Sequence, residues 1–157
     1  MTSCFNLDHV NVVVTQMARS VAFYTEVLGL IPVMDRTLSE SWFEQVTGIP
    51  KARARCVILD APDGGCRIEL LEFLGTTSSP LPAASLPATP GLRHLAIRVT
   101  DLEARLAILR DRFGQEVEAV DVPREIVKSG KRMCYIHDPD GAMIELCDYG
   151  SEQPEFC

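Results

Sequence analysis

The sequence predicts an α+β fold of two paired β-α-β-β-β modules, on three observations. The chain repeats itself, its hydrophobic spacing switches from strand to helix at the same point of each repeat, and a proline-rich stretch divides the copies. Leu7-Asp8-His9-Val10-Asn11-Val12-Val13-Val14-Thr15 sets over Leu92-Arg93-His94-Leu95-Ala96-Ile97-Arg98-Val99-Thr100 at a constant offset of 85. Leucine, histidine and threonine coincide. Further on, Met17 falls on Leu102, Val21 on Leu106, Ala22 on Ala107, Leu28 on Phe113 and Gly29 on Gly114. A second block matches at an offset of 76, with Ile68-Glu69-Leu70 on Ile144-Glu145-Leu146 and Glu72-Phe73 on Asp148-Tyr149. Each copy follows a Pro-Asp-Gly turn, Pro62-Asp63-Gly64 or Pro139-Asp140-Gly141. Two ordered blocks in both halves indicate duplication.

The first module spans 5–75 and the second 92–150. Between them, 76–91 carries Pro80, Pro82, Pro87 and Pro90 among serines and threonines, which is linker composition. In the first module, Leu7–Val14 is short, β-branched and bounded by polar residues, and so reads as a strand. Met17–Leu28 has helical spacing, with Met17, Val21, Tyr24 and Leu28 on one stripe and Gly29 as the stop. Three strands follow, at 31–36, 54–60 and 66–73. The second module repeats the plan with Leu92–Val99, a helix over Asp101–Phe113, Gly114, and strands at 116–121, 132–137 and 142–148. One helix covers one sheet face and leaves the other bare, so two modules must pair to enclose a cavity.

Strand side chains alternate faces, which places the chemically active residues. Val10, Val12 and Val14 form the apolar set facing the helix, leaving His9, Asn11 and Val13 on the open face. By the same parity His94, Ala96 and Arg98 lie opposite Leu95, Ile97 and Val99. Glu69 stands between Ile68 and Leu70, and Glu145 between Ile144 and Leu146, so each carboxylate points away from the core. The same His/Glu pair thus recurs at matched positions in a chain with three histidines in all. Imidazole and carboxylate together suit Zn²⁺, Ni²⁺, Co²⁺, Mn²⁺ or Fe²⁺. Two carboxylates balance the ion's charge, and an octahedral ion keeps two positions for water or substrate. His9, Glu69, His94 and Glu145 are the expected ligands of one divalent metal ion.

Bulk composition narrows the partners. A net charge of −7 argues against nucleic acid, which requires a basic surface. No apolar run approaches the roughly 20 residues of a membrane span, and no secretion signal opens the chain. The expectation is a cytoplasmic protein with a small-molecule substrate, neither nucleic acid nor membrane as partner, and a homodimeric assembly. The six cysteines, Cys4, Cys56, Cys66, Cys134, Cys147 and Cys157, form no CxxC pair and read as reduced thiols.

These motifs resemble the vicinal oxygen chelate superfamily, which includes glyoxalase I, methylmalonyl-CoA epimerase, extradiol dioxygenases, fosfomycin-resistance enzymes and bleomycin-resistance binders. The resemblance covers Leu7 to Tyr149. It rests on Leu-Asp-His, Arg-Ser-Val-Ala-Phe-Tyr-Thr-Glu-Val-Leu-Gly-Leu, Arg-Ile-Glu-Leu-Leu-Glu, Leu-Arg-His-Leu-Ala and Asp-Pro-Asp-Gly-Ala-Met-Ile-Glu-Leu. It implies a curved sheet of paired modules around a metal cup, the glyoxalase/bleomycin-resistance/dioxygenase fold. The His/Glu/His/Glu set is that of bacterial-type glyoxalase I. Epimerases usually have Gln at the place of Glu69, and extradiol dioxygenases use a His/His/Glu triad. The resemblance implies a metal-dependent lyase or isomerase acting on an α-oxygenated carbonyl through a metal-chelated enediolate, with Glu145 or Glu69 as base. The alternatives are an Fe²⁺ dioxygenase, an acyl-CoA epimerase, or a metal-free drug-binding module.

The chain also departs from those relatives. Val13 stands where glyoxalase I has an arginine that grips glutathione, and Phe73 lies near the place of a glutathione-binding asparagine. The epimerase's catalytic glutamate has no counterpart in Arg53–Leu59. Arg98 and Asn11, on the open face, and Arg132 are the remaining candidates for substrate contact. Arg124, Lys128, Lys131 and Arg132 form the one dense basic stretch and read as a solvated loop with a possible anion-clamping role. His137 is expected at a turn, Cys147 in packing, and the aromatic stretch Leu38–Arg55 as a loop that covers the cup or meets a second subunit.

Overall fold

The computed structural model describes residues 7–75, 87–151 and Glu155. The chain folds as two compact units, Met1–Pro80 and Leu81–Cys157. The first runs β1 (His9–Val13), α1 (Met17–Glu26), β2 (Ile31–Leu38), α2 (Ser41–Thr47), β3 (Ala54–Asp60) and β4 (Arg67–Phe73). Its strand order is β1-β4-β3-β2, with β1 and β4 parallel and the other pairs antiparallel. The second runs β5 (His94–Arg98), α3 (Leu102–Phe113), β6 (Val120–Val122), β7 (Lys131–His137) and β8 (Met143–Asp148). Its order is β5-β8-β7-β6, again with the first and last strands parallel. The α+β class and the strand plan of each module are as the sequence predicts.

Parallel strands require a crossover, and the helix after the first strand begins it. α1 buries Met17, Ser20, Phe23 and Tyr24 on one side. Beneath it lie the buried residues of one sheet face, Val12, Val57, Leu59, Ile68 and Leu70. Gly29 adopts φ +75°, which lets its N–H reach Thr25 O and that of Leu30 reach Tyr24 O. The helix stops there because an L side chain rarely takes that conformation. α3 is capped at both ends. Asp101 Oδ1 accepts from Ala104 N at 3.2 Å, and Gly114 closes the last turn at φ +68°.

Three features depart from expectation. β6 begins at Val120 instead of 116 and has only three residues. The Gln115 side chain instead bonds both backbone groups of His137, through Nε2 to O (2.6 Å) and Oε1 from N (3.1 Å). These bonds tether the segment to β7 without a ladder. Second, the expected loop Leu38–Arg55 contains α2, ended by Gly48 in the left-handed region. Phe43 is buried and stacks on Phe73 at 5.9 Å, within a cluster that includes Leu38, Ala54, Cys56 and Leu71. Register places Cys56 and Leu71 on the face of Glu69, so that face is not bare at this end. Third, His137 ends β7 instead of standing in the turn.

Residues 76–86 of the expected linker lie outside the described residues, as do Cys4 and Cys157. Cys56, Cys66, Cys134 and Cys147 are free thiols. No helix among the described residues is long and apolar enough to cross a membrane.

Leu70 is fully buried between α1 and the neighbouring strands. Leu70→Ala is expected to lower unfolding free energy by about 2–5 kcal/mol, and Asp101→Ala by about 1 kcal/mol through loss of the cap. Urea titration followed by circular dichroism checks both; equal effects would contradict this packing.

Candidate metal centre

Parallel register positions the four expected ligands. β1 lies beside β4 with Asn11 opposite Glu69, and His9 is two residues earlier on the same face. β5 repeats this beside β8, with Ala96 opposite Glu145 and His94 two residues earlier. The structure therefore brings the ligands together in pairs, one in each unit. His9 Nε2 lies 3.6 Å from Glu69 Oε2, and His94 Nε2 lies 3.3 Å from Glu145 Oε2. Among the described residues, no three or more His, Cys, Asp or Glu side chains cluster closely enough to hold an ion.

Each pair fits two ligands of one metal. His9 Nδ1 donates to Asp8 Oδ2 at 2.7 Å, which holds the Asp8 carboxyl below its ordinary value. A neutral imidazole that donates at Nδ1 keeps its lone pair on Nε2. In that tautomer Nε2 turns an acceptor toward the carboxylate oxygen, and a cation between them would satisfy both. Donors about 2.0–2.2 Å from one ion stand roughly 3–3.6 Å apart at octahedral or tetrahedral angles. Both observed separations lie in or at the edge of that range. His94 packs its ring against Tyr135, at 5.1 Å between centroids.

The two carboxylates have different neighbours. Glu69 Oε2 accepts from Asn11 Nδ2 at 2.9 Å, and its Oε1 accepts from Cys56 Sγ at 3.5 Å. Burial, followed by the charge of Glu69, pushes the Cys56 thiol up to about 12, so it remains a neutral donor. Glu145 Oε1 instead accepts from Lys131 Nζ at 2.5 Å, with the side chains 8% and 13% exposed. Burial alone would lower the Lys131 ammonium, but the hydrogen bond and charge of Glu145 outweigh it and raise the net value.

The sequence places Lys131 in a basic stretch but does not reveal its partnership with Glu145. Lys131 is the first residue of β7 and shares a face with Met133 and Tyr135, the latter opposite Glu145. Starting that strand one residue earlier would have exposed the parity. Asn11 serves Glu69 directly. Arg98 sets its guanidinium 5.4 Å from the Tyr149 ring centroid. Arg132 does not join these groups. It stands opposite Asp148 on the alternate face, with Nη1 2.7 Å from Glu103 of α3 and Nε 3.5 Å from Asp121. Cys147 is buried and in packing, as expected.

The sequence profile of the Glyoxalase/Bleomycin resistance protein/Dioxygenase superfamily matches residues 6–146. The chain belongs to this superfamily. An uncharacterized relative, YaeR of Escherichia coli (strain K12), is 31% identical over 146 residues, covering 89% of this chain and 93% of YaeR. A glyoxalase family protein from Bacillus cereus superposes with a TM-score of 0.78 at 23% identity, covering 94% of this chain and 95% of that one. The trypanothione-dependent glyoxalase I of Leishmania major gives a TM-score of 0.60 at 25% identity, with 93% and 88% covered. The two four-stranded mixed sheets are those of the superfamily fold.

Three outcomes follow from this geometry. With a thiol reagent at pH 8, Cys56 is expected to label far more slowly than Cys66 in the folded protein and comparably after unfolding, as read by peptide mass spectrometry. The raised Cys56 value also stabilises the fold below pH about 9, and that contribution is lost as pH rises toward 12. Lys131→Met strands a buried carboxylate and is expected to cost about 3–5 kcal/mol, most of it regained in Lys131→Met/Glu145→Leu. Thermal melts of the single and double variants measure this; no recovery in the double would mean that the pair is not coupled.

Proposed function

We propose that this chain is a metal-dependent, glyoxalase-like lyase or isomerase acting on a small α-oxygenated carbonyl compound. His9, Glu69, His94 and Glu145 are its ligands to one divalent ion. The observation that carries this reading is the doubled His/Glu pair, each imidazole Nε2 facing a carboxylate Oε2 at 3.3–3.6 Å. The superfamily includes glyoxalase I lyases, and kinship with one of them supports the reaction class. A homodimer is part of the reading, supported by exposed apolar side chains such as Val13 on β1, the strand of His9, and Val120 on β6.

When bound, the ion supplies Lewis-acid stabilisation where negative charge develops on the substrate. Glu69 is the better placed base. Its oxygens meet neutral donors, whereas Oε1 of Glu145 is taken by an ammonium. Glu69 takes the proton from the carbon beside the carbonyl, and the C–H electron pair moves into the carbon–oxygen system. The proton then returns at the neighbouring position, so the conversion is redox-neutral and needs no external electron acceptor. Asn11 holds the Glu69 carboxylate, and Asp8 aims the His9 ring.

Apo-protein reloaded with Ni²⁺, Co²⁺, Zn²⁺, Mn²⁺ or Fe²⁺ is expected to hold near one ion per chain, lost in His94→Ala and Glu145→Ala. Deuterium uptake from solvent at the carbon beside the carbonyl should slow by about 10²–10⁴ in Glu69→Gln. A wild-type protein that takes up no ion, or variants that bind as well as wild type, would leave a ligand-sequestering module as the better account.

A further inference from the structure

A cleft of about 670 Å³ opens in the second unit where β6, β7 and the end of β8 meet. That volume suits a small organic ligand. Arg124, Ser129, Gly130, Lys131 and Tyr149 contribute to its lining. Four of the chain's 15 basic residues fall within 124–132, although the chain carries a net charge of −7. Asp121, Asp148 and Arg132 line the recess as well, with Arg132 paired to Glu103 and Asp121, so three cations against two carboxylates leave a small positive excess there.

Two of these cations are held in place. Arg124 Nη1 donates to Lys128 O at 2.9 Å, and its guanidinium lies flush against Gly130. A Cβ on Gly130 would meet Arg124 Nη2 at 3.4 Å, and φ there is +84°. Lys131 belongs to both sites. Its Nζ bonds Glu145 while lying 5.7 Å from the Tyr149 ring centroid, the ring that also carries Arg98 at 5.4 Å. An ammonium has three donors, and Glu145 uses one of them. Oxygens bound to two of its hydrogens stand roughly 4.5–5 Å apart, given N···O distances near 2.8 Å. An anion answering Lys131 from the cleft therefore stands about that far from the Glu145 carboxylate, one of the proposed ligands.

We propose that this cleft receives the anionic end of the substrate, a carboxylate or a phosphate, gripped by Lys131 and Arg124. The inference rests on the metal-enzyme reading and narrows it to short α-oxygenated carbonyl compounds with an anionic terminus. The proposed grip lies on the second unit and suits a small anion.

The test titrates the full chain, metal-loaded and metal-stripped, with inorganic phosphate and separately with acetate, followed by amide NMR shifts. Saturable shifts in 124–132 are expected, and the tighter anion identifies phosphate or carboxylate as the group. Affinity should fall at least ten-fold in Arg124→Gln and in Lys131→Met. Arg124→Gln, which is not one of the proposed ligands, should retain wild-type metal content and serves if Lys131→Met folds poorly. Neither anion binding saturably, or Arg124→Gln binding as wild type does, overturns the cleft assignment. Saturable binding by a chain that takes up no metal overturns the metal reading and leaves the cleft as an anion site.

Discussion

Parallel pairing of the first and last strand in each unit is the constraint on which the site depends. A parallel neighbour in fixed register places His9 diagonal to Glu69 and His94 diagonal to Glu145, with the same offset in both halves. Slipping either pair by one residue would turn the carboxylate toward the helix and bring Ile68 or Ile144 to the open face. Buried isoleucine and leucine on either side of each glutamate resist that slip, since it would expose them and bury a charge. The apolar core therefore fixes where the polar ligands stand.

On this shared frame the halves have diverged. Asn11 beside Glu69 is replaced by Ala96 beside Glu145, and the neutral Cys56 donor gives way to the Lys131 ammonium. The first unit also gains α2, whose Phe43 stacks on Phe73 and closes one end of its open face. In the second unit the corresponding end carries cations around a cleft. The two His/Glu pairs thus share one frame, with neutral donors beside the first and an ammonium beside the second.

The Lys131–Glu145 pair is costly to bury, because desolvating two ions offsets much of their attraction. Its place beside a candidate ligand gives that cost a purpose. The ammonium holds the Glu145 carboxylate in one orientation while reaching the recess beyond it. Glu69 is held instead by the Asn11 amide and the Cys56 thiol. The two glutamates, in equivalent positions, therefore have neighbours of different charge.

The repeat, the α+β class, the strand–helix order and the open-face parity of His9, Glu69, His94 and Glu145 were all legible in the sequence. Local periodicity and duplication encode them, and both are properties of neighbours along the chain. The helix in 41–47, the shortened β6 and the Lys131 partnership were decided by tertiary contacts. Phe43 becomes helical where it can stack on Phe73, thirty residues away, and Gln115 displaces a ladder by bonding the backbone of His137. Lys131 and Arg132 are adjacent and alike in sequence. Strand alternation sends one to Glu145 and the other to Glu103, a division that exists only once β7 has paired with β8.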